Sequence, residues 1–124
     1  MKPIYLDYNA TTPIAKEVAD VMLPYLYDYF GNPSSGHSFG VQARLAIDLA
    51  RRQVAESIGA HPAEIIFTSG GTEANNYALR GYCEQHQDRG RHIITSAVEH
   101  PAVLEVCHYL VQNGYDLTIL EVDQ

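Results

Sequence analysis

The middle of the chain shows a regular alternation of apolar and polar positions. Apolar side chains recur there at helical spacing, and Gly59 supplies a stop. The recurring residues are Val41, Leu45, Ile47, Leu49, Ala50, Val54 and Ile58. This pattern predicts a long helix that begins near Ser38. A shorter helix is predicted over residues 15–23, and Pro24 is expected to end or kink it because the proline ring removes a backbone donor.

Three short apolar runs alternate with two helical patterns in the second half of the chain. The predicted strands cover residues 65–67, 92–95 and 117–122, and the predicted helices cover residues 72–84 and 101–113. Alternation of strand and helix is typical of a parallel sheet with covering helices. We therefore predict an α/β fold with a βαβαβ unit. Because a parallel sheet of three strands has two open edges, the sequence looks unfinished.

Composition narrows the classes of protein to which the chain can belong. Its 124 residues amount to about one domain. Hydrophobic residues make up 46% and charged residues 19%, which is typical of a globular protein. A net charge of −7 argues against a nucleic-acid surface, and the sequence has neither a spanning apolar run nor a signal peptide. Two cysteines without paired spacing fit a reducing compartment. We expect a cytoplasmic protein that binds neither nucleic acid nor a membrane.

The loop after the first predicted strand, residues 68–72 with the sequence TSGGT, is a candidate anion site. Ligands of open parallel sheets lie beyond the carboxyl ends of the strands. Paired glycines let backbone N–H groups approach an anion, and the following helix presents its positive end. The Thr72 hydroxyl could bind the same anion. The alternative is a tight turn with an ordinary helix cap and no ligand.

The loop after the second predicted strand ends at His100, which we place on the same edge of the sheet as Thr72. An imidazole there could stack on a flat ring, donate a hydrogen bond or move a proton. The alternative is a solvated residue in the first helical turn. No pair of histidines has metal-ligand spacing, so we expect no metal site. Cys83 and Cys107 lie in predicted helices and are interpreted as small buried hydrophobic residues.

Four motifs carry a resemblance to a known family. They are YLDYNATTP at residues 5–13, GNPSSGH at 31–37, IIFTSGGTEANN at 65–76 and HIITSAVEHPAV at 92–103. In this order they closely resemble the N-terminal third of the cysteine desulfurases of the NifS/IscS type, pyridoxal-phosphate enzymes of the class V aminotransferase family. The resemblance covers essentially the whole chain.

The resemblance implies a fold and a set of site residues. The fold is the N-terminal part of a fold-type I pyridoxal-phosphate-dependent transferase, in which residues 1–14 belong to the small domain and residues 15–124 begin the large domain. Gly71 and Thr72 would bind the phosphate of pyridoxal 5'-phosphate. His100 would stack on the pyridine ring and assist proton transfer. Residues 9–12 and the loop around Asn32 would lie near the substrate entrance.

The resemblance also implies an activity and partners. The complete protein would convert L-cysteine to L-alanine and an enzyme-bound persulfide, as a homodimer. A sulfur-acceptor or scaffold protein would take the sulfur to iron–sulfur clusters or thiolated tRNA. One alternative is selenocysteine lyase activity. Another is a non-catalytic fragment or split-gene product that acts through a partner chain. A small flavodoxin-like binding module would explain the βαβαβ unit but not the first two motifs.

The chain departs from the family in the residues of the reaction itself. The family's reaction requires a lysine that binds the cofactor covalently, an aspartate at the pyridine nitrogen and a cysteine on a mobile loop. In the family all three come later than this chain reaches. Lys2 and Lys16 are its only lysines and lie in the wrong segment. This chain is expected to be inactive by itself.

Overall fold

The structure is a computed structural model that describes residues 3–123 and divides the chain into two compact units. The first unit extends to Ile65 and the second begins at Ile66. Two helices and a short 3-10 helix form the first unit. They are α1 (Lys16–Tyr27), α2 (Ser38–Ser57) and the 3-10 helix Pro62–Glu64. The described residues contain no helix with the length and apolar character needed to span a bilayer.

Pro24 was predicted to end or kink α1, and the helix does not end there, because it continues to Tyr27. A proline inside a helix cannot donate to the preceding turn, but its own carbonyl still accepts. The N–H groups of Asp28 and Tyr29 both donate to the Pro24 carbonyl, at 2.8 and 3.0 Å. These bonds complete one more turn after the proline. The side chains of Lys16 and Asp20 pair at 2.5 Å on the exposed first turns.

Helix α2 confirms the long helix predicted from the apolar repeat. It begins after His37, whose Nδ1 accepts from the Gly40 N–H at 3.4 Å. It ends before Gly59, which adopts a φ of +67° that favours glycine. The loop at residues 31–36 packs closely against the start of α2, because Gly40 leaves room for the loop carbonyls.

The second unit contains the sheet. Its elements are α3 (Gly71–Gln85), the 3-10 helix Gln87–Arg89, β1 (His92–Ser96), α4 (Pro101–Gln112) and β2 (Asp116–Leu120). Strands β1 and β2 are parallel, with a register that runs from His92 opposite Asp116 to Ser96 opposite Leu120. Helix α4 connects them, as expected for parallel neighbours. The predicted α/β class with parallel strands and covering helices is confirmed.

Residues 65–67 do not form the first predicted strand, since the sheet of the described residues has only β1 and β2. Ile65 has extended dihedral angles, but its backbone groups bind partners within the first unit. Its N–H donates to the Pro62 carbonyl at 3.3 Å, and its carbonyl accepts from the Arg51 guanidinium. Ile66 and Phe67 are about half exposed, at 52% and 49%. An apolar run therefore does not become a buried strand unless a neighbouring strand takes its backbone groups.

The core of the second unit lies between α4 and the residue that precedes β2. Val106, Leu110 and Tyr115 are buried together, and Leu79, Cys83 and Ile93 pack against them. The Tyr115 hydroxyl donates to the Cys83 carbonyl at 2.5 Å, so its polar end is satisfied inside the core. These contacts hold α3 against α4, and each of the two helices begins at one of the candidate loops.

Candidate functional site

The first candidate loop leads into α3 without a side-chain cap. Gly70 precedes the helix and Gly71 is its first residue, so no side chain covers the first backbone N–H groups. A Cβ atom added at Gly70 or Gly71 would have no atom within 4 Å, which means that the turn faces open space. Thr72 is exposed, and its hydroxyl has no hydrogen-bond partner among residues 3–123. The donors that a phosphate requires are therefore accessible.

A carboxylate that sequence analysis did not single out orders this turn. One oxygen of Glu73, Oε2, accepts from the Ser69 N–H at 2.6 Å and from the Ser69 hydroxyl at 2.7 Å. Both hydrogen bonds lower the pKa of Glu73 below its ordinary value, and the bond from the Ser69 hydroxyl has the larger effect. Glu73 is the third residue of α3, a position where an acidic side chain commonly reaches back past the helix start. That position is the sequence signal that could have found it.

The second candidate loop is held at the carboxyl end of β1. The Ala97 N–H donates to the Leu120 carbonyl at 2.9 Å, and the Glu99 N–H donates to the Ser96 carbonyl at 3.2 Å. The first bond ties the loop to β2, and the second closes its turn. The loop therefore delivers His100 to a defined place at the start of α4.

His100 caps α4 with one ring nitrogen and leaves the other available. Its Nδ1 accepts from the Ala102 N–H at 3.0 Å, so the proton of the neutral ring lies on Nε2. The residue is exposed, and no aromatic ring of the described chain stacks on it. The alternative interpretation was a solvated residue in the first helical turn, and His100 is indeed exposed, although it lies one position before the helix and caps it. The cap still leaves a free ring face and the Nε2 donor for a ligand.

The structure places Thr72 and His100 in the same unit, each at the beginning of a helix. They share no hydrogen bond within the described chain. The prediction that both loops lie at the carboxyl ends of strands holds for His100 alone, since no strand precedes α3. The donor set nevertheless suits pyridoxal phosphate: backbone N–H groups and a hydroxyl for the phosphate, and an imidazole face for a flat ring.

The two cysteines are not set up as nucleophiles. Cys107 is buried and Cys83 is partly buried against the core. Burial raises the pKa of both thiols, which keeps them protonated at neutral pH. Among residues 3–123, no group of three or more histidine, cysteine and acidic side chains could hold a metal ion.

Comparison with known proteins identifies the family. The sequence profile of the family described as Aminotransferase class-V matches residues 4–124. The chain belongs to this family. Among class-V aminotransferases, it is 54% identical over 123 residues to the "Cysteine desulfurase IscS" of Dictyoglomus turgidum, a match that covers 99% of this chain and 31% of that protein.

Solved structures show the same fold. A "NIFS-LIKE PROTEIN" superposes with a TM-score of 0.86 at 39% identity, over 94% of this chain and 32% of its own. A structure entitled "SspA in complex with cysteine" gives a TM-score of 0.83 at 43% identity, over 94% of this chain and 33% of its own. The resemblance to the NifS/IscS type is confirmed. This class-V chain spans about a third of the length of the curated relatives it matches.

Proposed function

We propose that the complete natural polypeptide is a pyridoxal-phosphate-dependent cysteine desulfurase, and that this chain contributes its phosphate-binding turn and ring-stacking histidine. The observation that carries the proposal is the identity to a cysteine desulfurase over nearly the whole chain, including both candidate loops. A related structure with cysteine bound supports the same substrate. The corresponding reaction converts L-cysteine to L-alanine and an enzyme-bound persulfide.

The start of α3 is proposed to bind the cofactor phosphate. The N–H groups of Gly71 and Thr72 and the Thr72 hydroxyl would donate to phosphate oxygens, and the positive end of the helix would favour the negative charge. The open space beside Gly70 and Gly71 supports this assignment, because a phosphate must approach the backbone closely. When bound, pyridoxal phosphate supplies an electron sink for bond breaking at the substrate carbon atoms.

His100 is proposed to stack on the pyridine ring of the cofactor and to assist proton transfer. Its Nδ1 is occupied by the cap to Ala102, which fixes the tilt of the ring. The Nε2–H would remain free to donate, and the ring could pass a proton during the reaction. A single side chain would thus cap α4 and face the cofactor.

The covalent lysine is proposed to come from outside these 124 residues. Lys16 pairs with Asp20 at 2.5 Å on an exposed helix, and Lys2 lies outside the described residues. This distribution keeps a second candidate open, in which the chain is a non-catalytic portion that acts through a partner chain. In either case the chain supplies binding groups and not the attacking amine.

The remaining properties follow from the family. We propose a cytoplasmic homodimer with residues 1–14 in the small domain and residues 15–124 in the large one. L-cysteine would be the substrate, and a sulfur-acceptor or scaffold protein would receive sulfur for iron–sulfur clusters or thiolated tRNA. Selenocysteine would be the substrate of the closest alternative activity. Two cysteines without disulfide spacing support the reducing compartment.

The test uses the complete polypeptide loaded with pyridoxal phosphate. With L-cysteine and a thiol reductant, we expect alanine and sulfide in equal amounts. Thr72→Ala should lose cofactor on dialysis, because a hydrogen bond to a charged group contributes about 1.5–3 kcal/mol. Absence of alanine from a cofactor-loaded sample would refute the activity. Turnover of L-selenocysteine without turnover of L-cysteine would favour the lyase instead.

A further inference from the structure

Glu73 makes two side-chain hydrogen bonds across the turn before α3. Both hydrogen bonds of Glu73 Oε2 go to Ser69, one to its backbone N–H and one to its hydroxyl, at 2.6 and 2.7 Å. These are the short distances expected of bonds to an ionised carboxylate. Because one oxygen binds both groups, the backbone and the side-chain torsion of Ser69 are fixed together. The bonds close a ring from residue 69 to residue 73.

The ring contains two adjacent glycines. Gly70 and Gly71 have no side chains, and their backbone is more flexible than that of any other residue type. The Gly70 carbonyl accepts from the Thr68 hydroxyl at 3.2 Å and from the Ala74 N–H at 3.0 Å, so the carbonyl side of the peptide between the two glycines is restrained. The contacts of Glu73 hold Ser69, at the other end of the turn. Removal of the Glu73 carboxylate would therefore loosen the backbone groups that are proposed to bind phosphate.

We propose that Glu73 is a positioning residue that presents the N–H groups of Gly71 and Thr72 and the Thr72 hydroxyl to the cofactor phosphate. This inference rests on the proposed function. Glu73 uses its hydrogen bonds on Ser69 and makes none to the Thr72 hydroxyl, so it does not occupy the phosphate donors. It orders the turn from behind and leaves the donors free.

The charge of Glu73 predicts the opposite effect, which makes the inference testable. A carboxylate close to a phosphate repels it, so removal of the carboxylate would tighten binding if charge alone mattered. The side chain is exposed, and water screens such repulsion strongly. The ordering of two adjacent glycines is not screened. We therefore expect positioning to outweigh repulsion.

The experiment compares pyridoxal phosphate with pyridoxal, which lacks the phosphate, on the complete polypeptide. The phosphate preference is the ratio of the two dissociation constants. Glu73→Ala should lower this preference about tenfold, by analogy with the lower range for residues that orient metal ligands through hydrogen bonds. Glu73→Gln should keep most of it, because the amide oxygen can accept both bonds from Ser69. Glu17→Ala is the matched control: Glu17 is an acidic residue in the first turn of α1. It should leave the preference unchanged.

Each outcome bears on a different claim. An unchanged or higher phosphate preference in Glu73→Ala would overturn the positioning role. Equal weakening of both ligands would also overturn it, since that result indicates a general structural effect. A wild-type protein without any phosphate preference would refute the proposed function, and the inference with it. Amide hydrogen exchange in the cofactor-free protein gives a second measurement: exchange of the Ser69 N–H, which Glu73 accepts, should quicken in Glu73→Ala and stay slower in Glu73→Gln and Glu17→Ala.

Discussion

Replacement of Gly40 by alanine should destabilise α2, although alanine normally favours a helix. Gly40 is a buried residue in the first turn of α2. A Cβ atom there would lie 2.4 Å from the Ser35 carbonyl oxygen and 2.5 Å from the Asn32 carbonyl oxygen. Both are backbone atoms of one turn, in which the Ser35 N–H donates to the Asn32 carbonyl at 3.0 Å. The loop cannot move away from the methyl group without loss of that turn.

The expected size follows from two opposing contributions. Alanine in place of glycine favours a helix interior by about 1 kcal/mol. Overpacking of a tight contact costs about 1–3 kcal/mol, and two backbone contacts below 3.0 Å place Gly40 at the upper end. The net destabilisation should be about 2 kcal/mol, which corresponds to a factor of about thirty in an opening equilibrium.

Gly81 provides the matched control, because it lies inside α3 and an added Cβ would have no atom within 4 Å. Gly81→Ala should therefore stabilise α3 by about 0.5–1 kcal/mol. Amide hydrogen exchange of the complete polypeptide can measure each helix separately. Exchange should quicken over residues 31–45 in Gly40→Ala and slow over residues 71–85 in Gly81→Ala. Slower exchange in both variants would refute the packing argument, since helix propensity alone would then explain them.

Three further perturbations test the core, the histidine cap and the acidic turn. Leu110→Ala should lower the free energy of unfolding by about 2–5 kcal/mol, because Leu110 is fully buried. The control Val111→Ala, at an exposed position, should lower it by less than about 1 kcal/mol. Equal denaturation midpoints for the two variants would contradict the assigned core. His100→Asn should keep the cap of α4, but the complete enzyme should lose turnover and the change in cofactor absorbance on addition of substrate. His100→Ala should in addition lose about 1 kcal/mol of helix stability. Normal turnover in His100→Asn would exclude the stacking role. Because the pKa of Glu73 is lowered in the folded protein, its bonds to Ser69 stabilise the turn at pH values above the ordinary pKa of 4.5, and they are lost as the pH falls through the lower pKa of the folded state. The chemical shift of the Ser69 amide should follow that titration. In Glu73→Gln the shift should not change with pH.

The helices that sequence analysis predicted correctly have local causes. Helix α2 follows from an apolar repeat and a glycine stop, and α4 from Pro101 at its start and Gly114 after its end. Strand β1 was predicted to within one residue. The extension of α1 beyond Pro24 was missed because a proline disrupts the turn before it and not the turn after it.

In the candidate site, too, the features with local causes can be predicted from the sequence, whereas the strand before the first loop cannot. The cap of His100 on Ala102 spans two residues, and the bonds between Glu73 and Ser69 span four, so both are encoded in short stretches of sequence. Both could be read from the chain alone, although Glu73 requires attention to the third helical position as well as to the glycines. The strand at residues 65–67 is a different case, because a strand exists only when a distant segment takes its backbone groups. Here Pro62 and Arg51 take those of Ile65, and the apolar run stays extended without becoming part of the sheet. Composition tells which segments are suited to a sheet, whereas the competition for backbone hydrogen bonds decides which of them join it.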